Sequence, residues 1–437
     1  MSVAFLLCAG ALFFLAAIGM PIAYATILSS VLYLAASGQD LGIAGEQVIY
    51  GIYDSFVLLA VPLFIVAANI MNAGTVSEKL LDFCVALVGR FKGGLGHVNV
   101  VANLIMSGMS GSAVADAAGL GKVIIEMMVK SGHYTRGYAA AITAAASTIG
   151  PIVPPSIPMV LYALVSDASI GYLFLGGVGP GLLMAIMLMV MNAYMSQRRG
   201  FATDEKVPMA KIPGITVKAF PALLMPVILL WGIYGGATTP TEAAALAAVY
   251  ALFASAVIYR ALKLSALYGV MLESLRASAS VGLVIAGALI LNYVVASEGI
   301  PALLAGVLKG IDMSPMVFML CVNLLLLVLG CFLDASTIIL VIIPLFVPTC
   351  RALGIDLVYF GVVIVVNCMI GLITPPYGVV LFVINGVTGI PLVEIIKEIL
   401  PFLIGLVIAL ALMTLFPDVI LWLPKTFGYQ PTGFLAG

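Results

Sequence analysis

Apolar stretches of about 16 to 20 residues follow one another along the whole chain, separated by short polar, glycine- or proline-bearing breaks. Runs of that length suit helices that cross a bilayer, because about 20 residues span the hydrocarbon. The pattern predicts spans near 3–18, 21–37 and 56–72, with an amphipathic stretch at 41–54 between the second and third. A polar-faced helix follows at 75–92, an apolar hairpin at 95–129, a long helix at 136–166 and a span at 172–196. After a polar loop at 197–218 the order repeats. Spans fall at 219–235 and 241–260, an amphipathic stretch at 264–276 and a span at 278–296. A short helix at 301–310, a hairpin at 315–350, a long helix at 355–388 and a last span at 392–423 complete it.

The breaks repeat as well as the spans. Ser107-Gly108-Met109-Ser110-Gly111-Ser112 through Asp116 interrupts the first hairpin, and Gly330-Cys331-Phe332-Leu333-Asp334-Ala335-Ser336-Thr337 the second. Each is followed by a Pro-Pro break in the next long helix, Gly150-Pro151-Ile152-Val153-Pro154-Pro155-Ser156 and Gly371-Leu372-Ile373-Thr374-Pro375-Pro376-Tyr377-Gly378. Matching motifs lie about 220 residues apart. Paired interruptions in two halves of a membrane chain point to the binding site of a secondary transporter.

The composition supports the membrane reading: 63% of residues are hydrophobic and only 8% charged. A soluble surface could not be built from such a chain. A net charge of −1 gives nucleic-acid binding no electrostatic support. The six cysteines have neither metal-ligand nor disulfide-like spacing and read as packing residues. His97 and His133 are the only histidines, so a histidine-based metal or catalytic centre is not expected. The apolar start lacks the basic segment of a cleaved signal peptide and reads as a retained first helix.

Basic residues set the orientation. With the loop at 197–218 placed in the cytoplasm, 14 of the 18 lysines and arginines fall on that side, among them Lys79, Arg90, Lys130, Arg136, Arg260, Lys263 and Lys397. Lys309, Arg351 and Lys425 fall outside, as do both termini, and Lys122 sits in a hairpin arm. Five full crossings in each half make the two repeats insert with opposite polarity. One hairpin then enters from each side, and their tips meet near the midplane. The expected class is therefore an all-α polytopic membrane protein of two inverted-topology repeats, each with a re-entrant hairpin and a broken helix. The first repeat is 1–196, with helices at 1–72, an arm at 75–92, a hairpin at 95–129 and a broken helix at 136–166. The second is 219–437, with helices at 219–296, an arm at 301–310, a hairpin at 315–350 and a broken helix at 355–388.

Broken helices survive in hydrocarbon only where protein or a wet cavity satisfies the freed backbone groups. Freed carbonyls suit a cation, and the amides at half-helix N-termini suit an anion. Proline enforces each gap, and Gly108, Gly111, Gly330 and Gly371 permit the tight turns. Ser110, Ser112, Ser336, Thr337 and Thr374 add hydroxyl oxygens. Asp334 and Asp116 are ionisable groups within apolar stretches, which default to a functional reading. Asp334 is expected to line an ion site; Asp116 either does so or anchors the hairpin through backbone amides. Asn69, Asn72, Asn103, Asn292, Asn323 and Asn367 read as bonds between helices, and Glu242 after Thr239 as a helix cap. The polar-faced helices either bridge a moving core to a fixed frame or are ordinary surface helices.

These residues resemble the large membrane subunit of the TRAP transporters, the tripartite ATP-independent periplasmic family (DctM-like). The likeness covers essentially the whole chain, most specifically Ser110–Gly121, Gly150–Pro158, Phe332–Asp334 and Gly371–Gly378. The resemblance implies import of an organic acid across the bacterial cytoplasmic membrane, driven by sodium and carried by an elevator motion. It also implies two partners on separate chains, a small four-helix membrane subunit and an extracytoplasmic substrate-binding protein. Sodium is the coupling ion, and no other cofactor is expected. One implied sodium site uses Ser110, Ser112 and carbonyls around Gly150 to Pro154; the other uses Asp334, Ser336 or Thr337 and carbonyls around Gly371 to Thr374. The substrate carboxylate would lie between them, near Ser112, Asp116, Pro155, Ser156 and Pro376. Tyr377 stands where the family commonly has valine. The alternative is a single-component sodium/carboxylate symporter. No Ser–His or paired-aspartate constellation suggests an enzyme, and no nucleotide-binding loop suggests direct use of ATP.

Overall fold

The computed structural model describes residues 2–435 apart from 74–75, 202, 204–206, 263, 304–305 and 307–312. Among these residues the chain is helical throughout, and its only β-pairing is an isolated bridge between Lys92 and Thr203. Six helices are long and apolar enough to cross a membrane, or seven if the bent pair Gly42–Tyr53 and Phe56–Asn72 counts as one. Ten crossings were expected; the rest are met by shorter pieces. Val3–Ala17 and Ile22–Ala36 have 15 residues each. Each long broken helix supplies two half-length helices, Arg136–Ser147 with Ile157–Ser166 and Leu357–Gly371 with Val379–Thr388.

Three elements differ from the sequence expectation. The stretch 264–276 and the span 278–296 form one unbroken helix, Leu264–Ser297, because Arg276-Ala277-Ser278-Ala279-Ser280 between them contains neither glycine nor proline. Its counterpart in the first half bends by 74° at Asp54–Ser55. The last span divides at Phe416–Pro417 into Leu392–Leu415 and Asp418–Thr426. Most of the short helix expected at 301–310 lies outside the described residues. The arm at 76–88 forms as expected, burying Val76, Leu80, Leu81, Cys84 and Val88 along one stripe.

The helices assort into two groups. Val3–Ala17, Ile22–Ala36, Ala60–Asn72, Pro240–Phe253 and Leu264–Ser297 pack on one another at the periphery. The hairpins, the broken helices, Ile170–Arg199 and Leu392–Leu415 form the centre. There, every residue of Leu357–Gly371 but the first is buried, and so is nearly all of Arg136–Ser147. A helix apolar on all sides is one that other helices surround. The alanines of Arg136–Ser147 let helices approach closely where lipid supplies no hydrophobic drive.

The centre carries an internal repeat. Ile157–Ser166, the second half of the first broken helix, packs on the return arm of hairpin two. Val379–Thr388, its counterpart, packs on the return arm of hairpin one. Buried asparagines bind each hairpin to its own broken helix. Asn99 donates to Thr143 at 2.6 Å and supports Asn103; Asn367 donates to the Asn323 side chain at 2.9 Å. This is the interhelical role expected for Asn323 and Asn367; Asn103 instead bonds to Asn99 within its own helix, and Asn99 makes the bond between helices. Thr239 and Glu242 form a capping box at the start of Pro240–Phe253, again as expected.

Arg199 pairs with Glu398 at 2.7 Å and lies over the Tyr138 ring, close to Arg136 in the chain. Arg351, assigned to the opposite side, pairs with Asp167 at 3.0 Å.

Candidate functional site

Hairpin one rises as Gly94–Ser110, turns at Gly111 and returns through Ala113–Ala118 and Leu120–Lys130. Gly111 has φ +57°, and a Cβ there would lie 2.7 Å from the Pro155 carbonyl oxygen. Only glycine meets both demands. The first hairpin tip is thereby pressed onto the Pro-Pro break. Ser112 caps the return helix through the Ala115 amide at 3.3 Å, and Ser156 caps Ile157–Ser166 through the Met159 amide at 3.2 Å.

Hairpin two repeats the construction. Pro315–Gly330 ends at the tip, and Gly330 touches Gly371 of the second break backbone to backbone; a Cβ on Gly371 would lie 2.7 Å from the Gly330 Cα. The Gly378 amide donates to the Cys331 carbonyl at 3.2 Å, which ties the break to the tip.

A cleft of about 430 Å³ opens between the central and peripheral groups. Both hairpin tips reach it: Ser110, Gly111 and Ser112 from the first, Asp334, Ala335 and Ser336 from the second. Pro151, Met369 and Leu372 from the broken helices line it too. Residues about half a chain apart therefore share one site, as the duplicated breaks predict.

The two tips differ in how their polar groups are satisfied. Asp334 is exposed, and its carboxylate accepts from the Ser336 amide at 3.0 Å, the Thr337 amide at 3.2 Å and the Thr337 hydroxyl. It is an N-cap with both oxygens engaged. Asp116 lies behind the first tip, 1% exposed, and neither carboxylate oxygen has a hydrogen-bond partner among the described residues. The Ser110 hydroxyl lies beside this carboxylate, and neither group closes a hydrogen bond of ordinary geometry among the described residues. Gly150 leaves the room that Asp116 Oδ2 occupies, since a methyl group there would collide with it. A buried carboxylate without donors is costly unless a cation or a bound proton neutralises it. The donor set at tip one, carboxylate and hydroxyl oxygens in a closed space beside a helix break, fits a hard cation such as sodium. No cluster of three His, Cys, Asp or Glu residues suited to a heavier metal occurs among the described residues.

The other expected residues are placed as follows. Pro154, Pro155 and Ser156 are buried beneath the first tip, and Ser156 donates to the Pro151 carbonyl. Thr337 is buried behind Asp334, and the Thr374 hydroxyl, in the break, donates to the Ile370 carbonyl in the last turn of Leu357–Gly371 at 2.7 Å. Pro376 and Tyr377 are exposed outside the cleft, with Tyr377 against Phe382 at 4.7 Å. Glu273, not singled out in the sequence, stands on the peripheral wall beside Asn69, whose amide donates to Ser274 at 2.9 Å. Its one signal was a charge on an otherwise apolar helix face, Val270 through Val281. No lysine, arginine or histidine lines the cleft among the described residues.

Residues 9–419 match the family described as Tripartite ATP-independent periplasmic transporter, DctM component. The chain is 42% identical over 413 residues to the sialic acid TRAP transporter large permease protein SiaM of Vibrio cholerae, covering 94% of this chain and 96% of that one. It is 40% identical over 375 residues to the C4-dicarboxylate TRAP transporter large permease protein DctM of Pseudomonas aeruginosa, covering 86% and 88%. The 2,3-diketo-L-gulonate TRAP transporter large permease protein YiaN of Escherichia coli is 36% identical over 406 residues, covering 93% and 95%. In fold, the chain is similar to the crystal structure of the Alcanivorax borkumensis YdaH transporter, with a TM-score of 0.63 over 87% of this chain and 88% of that one, at 14% identity. Duplicated breaks, a shared cleft and these whole-length relatives agree: the chain belongs to the DctM components, the multi-pass large permeases of TRAP transporters, and is a transport protein rather than an enzyme.

Proposed function

We propose that this permease imports an organic acid by sodium-coupled symport, with an elevator motion of its central group. The observation that carries the reading is the unpartnered Asp116 carboxylate and Ser110 hydroxyl behind a cleft that contains Asp334 and Glu273 and no basic residue. A lone carboxylate entering that cleft meets like charge. At ~6 Å and an effective dielectric of ~20, each acidic neighbour costs about 3 kcal/mol. Cations at the tips offset that cost, and this is the coupling. Ser110, Asp116 and carbonyls of the Gly150–Pro154 break form the first sodium site. The second lies at Ser336, Thr337 and the Gly371–Thr374 break, with Asp334 as the cap that shapes it. The substrate carboxylate binds between, at Ser112 and the amides of the return helices.

The elevator reading follows from how the two groups are joined. Counting Ile212–Tyr234, which packs on Pro240–Phe253, with the peripheral helices, one side-chain hydrogen bond joins them to the central helices among the described residues, from the Tyr234 hydroxyl to the Gly171 carbonyl at 3.0 Å. A boundary held so lightly can slide. The peripheral helices of both repeats, 1–196 and 219–437 about the linker 197–218, serve as the frame. The repeats insert with inverted topology in the bacterial inner membrane, with both termini periplasmic. A small four-helix membrane subunit and an extracytoplasmic binding protein complete the transporter; relatives are named for sialic acid, C4-dicarboxylate and 2,3-diketo-L-gulonate, all carboxylates.

The test is uptake in proteoliposomes containing this chain, its membrane partner and ligand-loaded binding protein. Uptake should require an inward sodium gradient. Equal uptake with potassium replacing sodium removes the coupling. Full uptake by this chain alone removes the tripartite reading in favour of a single-component symporter.

A further inference from the structure

The core wall of the cleft presents Ser110, Ser112 and Ser336, while the opposite wall, built by Ala60–Asn72 and Leu264–Ser297, presents Glu273 and Asn69. Glu273 is exposed to the cleft and has neither a hydrogen-bond donor nor an ion-pair partner among the described residues. It stands one turn before Arg276 on the same helix, and Arg276 does not line the cleft. An ionisable group on a helix face turned to a cavity defaults to a functional role. An ionised carboxylate only accepts hydrogen bonds. Asn69, with one amide N–H given to Ser274, adds a carbonyl acceptor and one further N–H to the same wall.

We propose that Glu273 sets the substrate class: a monocarboxylate that carries hydroxyl or N–H donors at the end remote from its acid group. This rests on the carboxylate-transport reading of the same cleft. The acid group lies at the hairpin tips, where serine hydroxyls and cations receive it. The remote end then faces Glu273 across the cleft. Donors there complete the free carboxylate, whereas a second carboxylate meets a like charge with no basic residue to relieve it. At ~8 Å and an effective dielectric of ~20, that repulsion weakens binding about thirty-fold. A wall that rejects by charge and accepts by hydrogen bond discriminates in both directions.

Two probes separate the classes, D-gluconate as polyhydroxy monocarboxylate and succinate as dicarboxylate. Each is titrated into the purified full chain by calorimetry, at equal sodium concentration and ionic strength. The expected result is gluconate binding about thirty-fold tighter than succinate in the unaltered protein, and a ratio falling at least about tenfold in Glu273→Gln through stronger succinate binding. Succinate binding as tightly as gluconate in the unaltered protein overturns the assignment to Glu273 and leaves the transport reading standing; that comparison needs no variant. An unchanged ratio in a folded Glu273→Gln protein also overturns it. Binding of neither acid in the presence of sodium overturns the carboxylate reading of the cleft, and this inference with it.

Discussion

Replacing Asp116 by asparagine should reverse the effect of sodium on stability. Asp116 is a fully buried carboxylate whose two oxygens close no hydrogen bond among the described residues. Removing an uncompensated buried charge is neutral or stabilising, whereas breaking a compensated one costs about 3–5 kcal/mol. The sign of the substitution therefore depends on the cation. In choline or potassium chloride, Asp116→Asn should melt at or above the unaltered protein. As sodium is added, the unaltered protein should gain RT ln(1 + [Na⁺]/Kd), about 2.7 kcal/mol at a hundredfold excess over Kd, for one site. The variant should lose most of that gain, so the two melting curves cross. Thermal unfolding followed by intrinsic fluorescence across a sodium series, at constant ionic strength, reads the crossing. A variant that keeps the full sodium dependence would place the ion elsewhere and refute the reasoning. So would an unaltered protein that is stabilised by acidification and indifferent to sodium, because a proton would then be the species that neutralises Asp116.

Two further substitutions test the frame around the site. Gly330→Ala puts a Cβ 3.0 Å from the Gly371 Cα, a backbone atom that cannot rotate away; overpacking of this kind costs about 1–3 kcal/mol, and lower thermal stability with impaired uptake should follow, while near-normal values of both would show that hairpin two does not depend on that contact. Tyr234→Phe keeps the ring and its packing on Phe427 at 5.4 Å but deletes the hydroxyl bond to Gly171; the loss of about 0.5–1.5 kcal/mol should shift the central group away from the state seen here, read as a changed distance between spin labels on the two groups, and an unchanged distance distribution would mean that the bond does not hold this state.

Much of the fold was legible because its signals are backbone signals. Pro154-Pro155 and Pro375-Pro376 stop helices whatever surrounds them, and a hairpin between apolar arms declares itself by Gly111 or Gly330 at its apex. The repeat made these local signals specific, since each break has a partner about 220 residues away. Continuity was harder to read. Leu264–Ser297 is one helix, whereas the first half bends at Asp54–Ser55, and amphipathicity alone does not distinguish a surface helix from the outer turns of a long span. Least legible were the roles of the acids. Asp334 stands before Ala335-Ser336-Thr337 and caps them, a pattern visible in sequence once the helix start is known. Whether Asp116 finds donors depends on how the first tip meets Gly150, and whether Glu273 faces lipid or a cleft depends on which helix lies opposite. Both are tertiary facts.

The unequal tips have a physical consequence. At the second, Asp334 already satisfies its oxygens within its own hairpin, so that tip can hold its shape before any ion arrives. At the first, the carboxylate and the Ser110 hydroxyl close no hydrogen bond among the described residues, so that tip is the more poorly compensated of the two. A ligand stabilises most where the unliganded site is least satisfied, because the differential free energy between the two states is largest there. Sodium at the first tip would therefore order the Ser110–Ser112 turn against the Pro155 carbonyl and complete the wall on which, in the proposed mechanism, the substrate acid group would rest. Coupling needs no contact between ion and substrate in this arrangement. It needs only that the surface binding the anion be the surface the cation assembles.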